Sequence, residues 1–295
     1  ERVLVVGCGD VGLRVAQALG SGVGPRVRLL ALPSSPDRAP TLRRHGLTPL
    51  VGNLDAPASL RRLSGIATRV VHLAPPPGEG QVQWWRDPRT QALLRALRLR
   101  TAPASLVYGS TSGVYGDCAG ALVNEVRATS ASTPRAQRRV DAETLVRHFG
   151  RGGVRSSILR IPGIYAPDRE GGTPRARLLK GTPVLAAADD VFTNHIHADD
   201  LARACVAALW RGQPQRIYNA NDDTALRMGD YFDLAADLYN LPRPPRLARD
   251  VANDQMPLGL LSFMGESRRM DNTRLKQELG LRLAYPTVAT GLLSK

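Results

Sequence analysis

The sequence predicts an α/β fold, a doubly wound parallel sheet with a smaller carboxyl-terminal lobe. Three observations predict it. Short β-branched apolar runs alternate with helical patterns through the first half of the chain, the order that yields a parallel sheet covered on both faces. The opening run, Arg2 to Val6, leads at once into Gly7-x-Gly9-x-x-Gly12 and then into a helical pattern with Val11, Val15, Ala18 and Leu19 on one face. After Tyr165 the alternation lapses into a stretch rich in Gly, Pro and Arg. The expected division is therefore 1–165 for the sheet domain, with 190–220 returning to it, and 166–295 mainly for the lobe.

Taken in order, strands are expected at Val27 to Leu32, Thr48 to Val51, Arg69 to Ala74, Ala104 to Ser110, Ser156 to Arg160 and Arg216 to Ala220. Helices are expected at Pro40 to His45, Ala58 to Leu63, Asp87 to Arg98, Thr133 to Phe149, Leu201 to Trp210 and Met228 to Leu238. Pro134 is placed for the first helical position after Thr133. Residues Pro167 to Pro183 read as loops around a short helix, and Pro242 to Pro257 as irregular. Asn272 is expected to cap a helix that Gly280 ends. Trp84 and Trp85 are expected to pack.

Gly7, Gly9 and Gly12 have separate tasks. The first permits a tight turn, the second lets backbone approach a pyrophosphate, and the third lets helix and strand pack closely. Asp10 and Val11 open a helix whose free N–H groups face phosphates. The expected ligand is a dinucleotide.

The chain has 295 residues and a net charge of +14. Lys180, Lys276 and Lys295 are its only lysines, and the arginines are scattered rather than gathered in one tract. That argues against a nucleic-acid footprint. No apolar run is long enough to span a membrane. No leader is evident, and Cys8, Cys118 and Cys205 fit neither a disulfide framework nor a metal site, so a cytoplasmic location is expected.

Further landmarks follow the glycine loop: Val71-His72-Leu73-Ala74, Ser110-Thr111-Ser112-Gly113-Val114-Tyr115-Gly116, Leu159-Arg160-x-x-Gly163-Ile164-Tyr165, Ile196-His197-Ala198-Asp199-Asp200-Leu201-Ala202 and Tyr218-Asn219. In this order the chain resembles the extended short-chain dehydrogenase/reductases, the NAD-dependent epimerase/dehydratase group. Its ending, Arg268-Arg269-Met270-Asp271-Asn272-Thr273-Arg274-Leu275 with Tyr285-Pro286, is similar to an atypical, YeeZ-like branch. The resemblance implies a Rossmann sheet of seven strands with a nicotinamide dinucleotide across its carboxyl ends. It implies that Asn53 and Leu54 flank the adenine and that Ala74, Pro75 and Pro76 line the cofactor cleft, with Ser110, Pro162 and Ile164 nearby. It also implies an oxidoreductase or epimerase-like activity and leaves room for a homodimer.

The resemblance further implies a catalytic hydroxyl at Thr111 and a Tyr–Lys pair on the following helix. Arg135 stands in the tyrosine position and Arg139 in the lysine position, with Glu143 aligned to a family glutamate. Arginine stays protonated and offers no acceptor, so Arg135 cannot serve as a general base. Tyr115, Tyr165 and His197 are the substitute proton donors to consider. The glycine loop departs too, with GxGxxG where extended members have GxxGxxG, a spacing that still serves phosphates.

Two arrangements of the arginine pair are open: an anion pocket facing the nicotinamide, or a surface pair between Arg139 and Glu143 at i,i+4. His195 and His197, without a third ligand, do not argue for a metal. One is expected to pack and the other to face a cleft. The second strand ends at Leu32-Pro33 without the acid that holds the ribose hydroxyls for NAD. Ser34 and Arg38 suit a 2′-phosphate, so NADP is favoured over NAD. The first functional expectation is an NAD(P)-dependent epimerase/dehydratase-like enzyme or reductase acting on a small polar or anionic substrate. The alternatives are a non-catalytic dinucleotide-binding sensor or partner-binding protein, and a basic nucleic-acid binder.

Overall fold

The protein is described from a computed structural model, which describes residues 1–21, 27–78, 80, 83–257, 261–262 and 264–294. Seven parallel strands form the central sheet: β1 Arg2–Val6, β2 Arg28–Leu32, β3 Thr48–Pro49, β4 Arg69–His72, β5 Ser105–Thr111, β6 Arg155–Ile161 and β7 Arg216–Asn219. Their spatial order is β7-β6-β5-β4-β1-β2-β3.

Pleating divides each strand between two cores. Val3, Val5, Leu29 and Ala31 face one side, where they pack with helix α1 (Asp10–Gly20). Leu4, Val6, Leu30 and Leu32 face the other. The period of two in side-chain direction produces this split. On that second side the sheet is covered by α3 (Pro88–Arg98) and α4 (Pro134–Gly150), which contribute Leu93, Leu97, Val146 and Phe149. The short helix α2 (Ala39–Arg44) lies between β2 and β3. A fully buried Val or Leu contributes about 1.5–3 kcal/mol, and Val3, Leu4, Val5 and Val6 are all completely buried.

Caps set the helix starts that position the site. Thr133 accepts from the Ala136 N–H and Pro134 occupies the first turn of α4. Asp87 does the same for α3, accepting from Thr90. The sheet reverses direction of growth at β1, with β2 and β3 on one side and β4 on the other. In a parallel sheet this switch point opens a crevice beyond the strand ends.

The lobe has its own core, built from Tyr165, Val184, Tyr231, Phe232 and Met256 among others. It carries α5 (Arg175–Leu179), α7 (Met228–Tyr239) and α8 (Arg249–Gln255), while α6 (Ala198–Arg211) returns to the sheet and packs on α1. Beyond Arg268 the chain returns to the sheet domain. Arg269–Met270 pairs with Leu122–Val123, and helix α9 (Thr273–Leu279) sends Leu275 and Leu279 into the sheet's core.

The helix expected at Ala58 to Leu63 is present as a 3-10 helix, Pro57–Leu63, with i→i+3 bonding. Several expectations are corrected. The stretch 242–257 is not irregular: Arg246–Leu247 pairs with Val184–Leu185, and α8 follows. Asn272 occupies the position before α9 without capping it: its backbone is not extended there, and its Nδ2 donates away from the helix to Asn221 O and Asp223 Oδ1. Trp84 and Trp85 are 44% and 43% exposed and meet each other edge to face.

Candidate active site

The turn after β1 forms the floor of a cleft of about 460 Å³. Gly7 has φ +91° there, and a Cβ would stand 2.3 Å from the backbone N of Ala74. A Cβ on Gly12 would stand 2.5 Å from Gly7 O. A Cβ on Gly9 would meet nothing within 4 Å. The first two glycines are thus required by the protein's own packing, and Gly9 leaves open space above the amino end of α1. That helix has no side chain capping its first N–H groups, which remain directed at the cleft with the positive end of the helix dipole.

Around this floor stand Asp10, Val11, Ser34, Arg38, Asn53, Leu54, Ala74, Pro75 and Ile164, all in the lining. Arg38 Nη2 donates to Cys8 O at 3.0 Å, which holds the guanidinium beside the glycine loop. Asp37 is turned back onto Ser35. Pro76 is the exception. It is buried and does not line the cleft, because the proline run turns Pro75 outward and the next two prolines inward. The sequence reading missed the Asp55–Arg89 pair at the cleft edge, bidentate at 2.7 and 2.6 Å.

Val11, Leu73 and Ile164 continue into a second cavity of about 400 Å³ over the carboxyl ends of β5 and β6. Ser110, Thr111, Arg135, Arg139 and Pro162 line it. The two cavities therefore adjoin along Val11, Leu73 and Ile164.

Residues 3–220 match the profile of the NAD dependent epimerase/dehydratase family. The chain belongs to that family. It is similar to a functionally unknown conserved protein from Silicibacter pomeroyi at 28% identity and a TM-score of 0.81, covering 99% of this chain and 96% of that one. It also resembles MoeE5 in complex with UDP-glucose and NAD at 23% identity, a TM-score of 0.75 and the same coverage of both chains. A nucleoside-diphosphate-sugar epimerase from Pseudomonas aeruginosa superposes with a TM-score of 0.78 at 21% identity, over 99% of this chain and 95% of that one. No curated protein sequence matches the chain. Among the described residues, no helix is long and apolar enough to cross a membrane.

Helix α4 presents two arginines, Arg135 and Arg139, to the cavity. Arg139 Nη1 donates to Gly109 O at 2.6 Å and to the Tyr108 hydroxyl at 3.1 Å. The alternative pairing of Arg139 with Glu143 does not form. Glu143 turns inward to Arg160, whose Nε and Nη2 donate at 3.1 and 2.8 Å, and it also accepts from Ser110 Oγ at 2.6 Å. Glu143 and Arg160 are both buried.

Thr111 Oγ1 accepts from the Gly113 N–H at 3.3 Å, so its own O–H proton is left to donate into the cavity. Tyr115 is corrected from the expected site. It is 1% exposed, its hydroxyl donates to Asn219 Oδ1 at 2.7 Å, and Arg160 lies over its ring. The one-turn 3-10 segment Ser112–Tyr115 carries it beneath the sheet edge. Tyr165 donates to Thr287 O, and burial holds its hydroxyl well above the ordinary range. His197 packs against Tyr285, with Nδ1 accepting from Asp199 N–H and Nε2 at 3.2 Å from Ser294 Oγ. His195 faces a cleft, in the lobe.

Behind the lobe cleft, burial raises the Asp222 carboxyl from 3.8 to about 7. The folded chain thus holds this proton more tightly than the unfolded chain. The stability it contributes is complete below pH 3.8 and lost progressively as pH rises to about 7. Burial acts oppositely on His72 and His195, lowering them from 6.5 to about 3 and about 4; their contribution is lost as pH falls. Asp222→Asn is expected to remove the first dependence alone. The difference in Tm between variant and wild type should increase from pH 4 to pH 7 and then level off. A flat difference across that range would contradict the assignment.

Proposed function

We propose that the chain binds a nicotinamide dinucleotide, NADP in preference to NAD, and acts as an oxidoreductase or epimerase-like enzyme on a small anionic substrate. The observation that carries this reading is that the cleft above Gly9 adjoins, along Val11, Leu73 and Ile164, the cavity containing Thr111, Arg135 and Arg139. The residues fit the dinucleotide: Gly9 leaves room for a pyrophosphate, α1 offers N–H groups, and Asn53 and Leu54 stand at the far end. The bound nicotinamide supplies hydride exchange. Thr111 Oγ1 donates to the reacting oxygen, and Arg135 grips an acidic group in the bidentate manner its planar fork allows. Arg139 is held by Gly109 O and Tyr108, so it fixes the cavity wall and adds positive charge.

NADP preference is supported by the absence of an acid at Leu32-Pro33 and by Arg38 beside the glycine loop. Arg38→Ala is expected to weaken NADP binding about tenfold, the loss of one charge-assisted phosphate contact, and to leave NAD nearly unchanged. Competitive titration with both cofactors reads this directly. Equal weakening of both would sink the mechanism.

The substrate reading is tested with the double variant Arg135→Tyr, Arg139→Lys, titrated with oxalate as a probe anion in the presence of NADP. Anion affinity is expected to fall about tenfold. Wild-type turnover of a neutral nucleotide sugar at ordinary enzyme rates would contradict the reading. The second reading is a non-catalytic dinucleotide sensor, favoured by the engagement of Tyr115, Tyr165 and His197 elsewhere. It predicts NADP binding with no hydride exchange on any acid.

A further inference from the structure

The lobe cleft, about 410 Å³, shares Ser112, Gly163, Ile164, Glu266 and Arg268 with the arginine-lined cavity. The two cavities are therefore neighbours across these residues. Several residues in the lining of this cleft carry buried polar atoms that are unsatisfied among the described residues. Arg177, on α5, stacks over Phe232 at 4.4 Å, and its Nε and Nη2 are buried with no hydrogen-bond partner among the described residues. Arg268 spends Nη1 on Gly116 O and Glu266, while its Nε is buried and likewise without a partner there. Thr193 Oγ1 and His195 Nδ1, in the same lining, share that condition.

Buried polar atoms are ordinarily satisfied, and a desolvated guanidinium without a counter-charge is costly. Glu266 is the carboxylate in this lining, and it is already engaged by Arg268 at 2.8 Å and Ser132 at 3.0 Å. Burial keeps His195 neutral, at about 4. The cleft is therefore left with a surplus positive charge and with donors arriving from three separate elements: α5, the strand His195–His197 with Thr193 before it, and the segment at Arg268. Donors from several directions suit a tetrahedral group of oxygens. The single fork of Arg135 suits a planar carboxylate.

We infer that the substrate is a small molecule with two anionic groups, an organic acid with its carboxylate at Arg135 and a phosphoryl group held by Arg177 and Arg268 in the lobe. This rests on the anionic reading of the Arg135 cavity and names the second half of the same site. It makes Arg177 a specificity-determining residue.

The test is calorimetry on the NADP-loaded protein with 6-phosphogluconate, gluconate, glucose 6-phosphate and UDP-glucose. The first should bind at least about tenfold more tightly than either single anion. Arg177→Gln should reduce 6-phosphogluconate to the level of gluconate, Arg135→Gln should reduce it to the level of glucose 6-phosphate, and Arg177→Lys should retain most of the gain. Unchanged NADP affinity in each variant shows that the fold is intact. The inference is overturned by UDP-glucose binding more tightly than 6-phosphogluconate, by Arg177→Gln weakening gluconate equally, or by NADP binding while none of the sugar ligands does. Failure of NADP itself to bind would instead remove the dinucleotide reading, and this inference with it.

Discussion

Replacing Gly9 with valine is expected to weaken dinucleotide binding by about a hundredfold or more, a difference of at least 2.8 kcal/mol, while leaving Tm within about 2 °C of wild type. The asymmetry comes from the three glycines. A Cβ on Gly9 meets no protein atom within 4 Å, so the fold tolerates it. The same Cβ occupies the space that a pyrophosphate needs above the start of α1. Gly12→Val is expected to behave differently, because its Cβ would lie 2.5 Å from Gly7 O; that variant should lose stability and binding together. Calorimetry with NADP and NAD, paired with thermal melts, separates the two cases. Wild-type affinity in Gly9→Val would remove the dinucleotide site from this cleft.

The second large effect is on stability. Glu143→Ala should destabilise the chain by about 3–5 kcal/mol, the range for removing one partner of a buried ion pair. Glu143 and Arg160 are 4% and 3% exposed, and Arg160 Nη1 already lacks a hydrogen-bond partner among the described residues. Without the carboxylate, the guanidinium is left charged and unpaired between α4 and β6, and Ser110 loses its acceptor. Replacing both partners, Glu143→Leu with Arg160→Met, should recover most of the loss, since no charge is then stranded. Urea denaturation measures both variants. A loss below about 1 kcal/mol in the single variant, the level of an exposed pair, would contradict the buried pairing.

The main elements were legible because their signals are local. β-branched runs, the glycine loop, and the Thr133-Pro134 and Asp87-Pro88 starts all lie within a few residues of the structure they specify. What failed depended on distant partners. The i,i+4 spacing of Arg139 and Glu143 is visible in the sequence, but Arg160, which takes Glu143, arrives from the next strand, 17 residues on. Tyr115 sits in the motif that resemblance assigns to the site, yet Asn219 draws its hydroxyl away across 104 residues. Arg268 and Glu266 lie more than 150 residues beyond Thr111 in sequence and line the same cavity. No spacing rule connects them. Helix α8 was hidden by its brevity and by the prolines before it.

The placement of β1 and β7 sets an order of completion during synthesis. β1 is made first and lies inside the sheet, so pairing spreads outward as β2 and then β4 leave the ribosome. The outer strand β7 comes after residue 215, and its Asn219 Nδ2 donates to Val123 O and to Asp271 O, the latter still later in the chain. A nascent chain stalled near residue 220 would hold every strand of the sheet, yet lack the Asp271 partner and the α9 side chains that close the core. Its exposed edge and apolar face are the surfaces by which partly made chains associate with one another. Aggregation during slow translation should therefore be greatest in the window between residues 220 and 280.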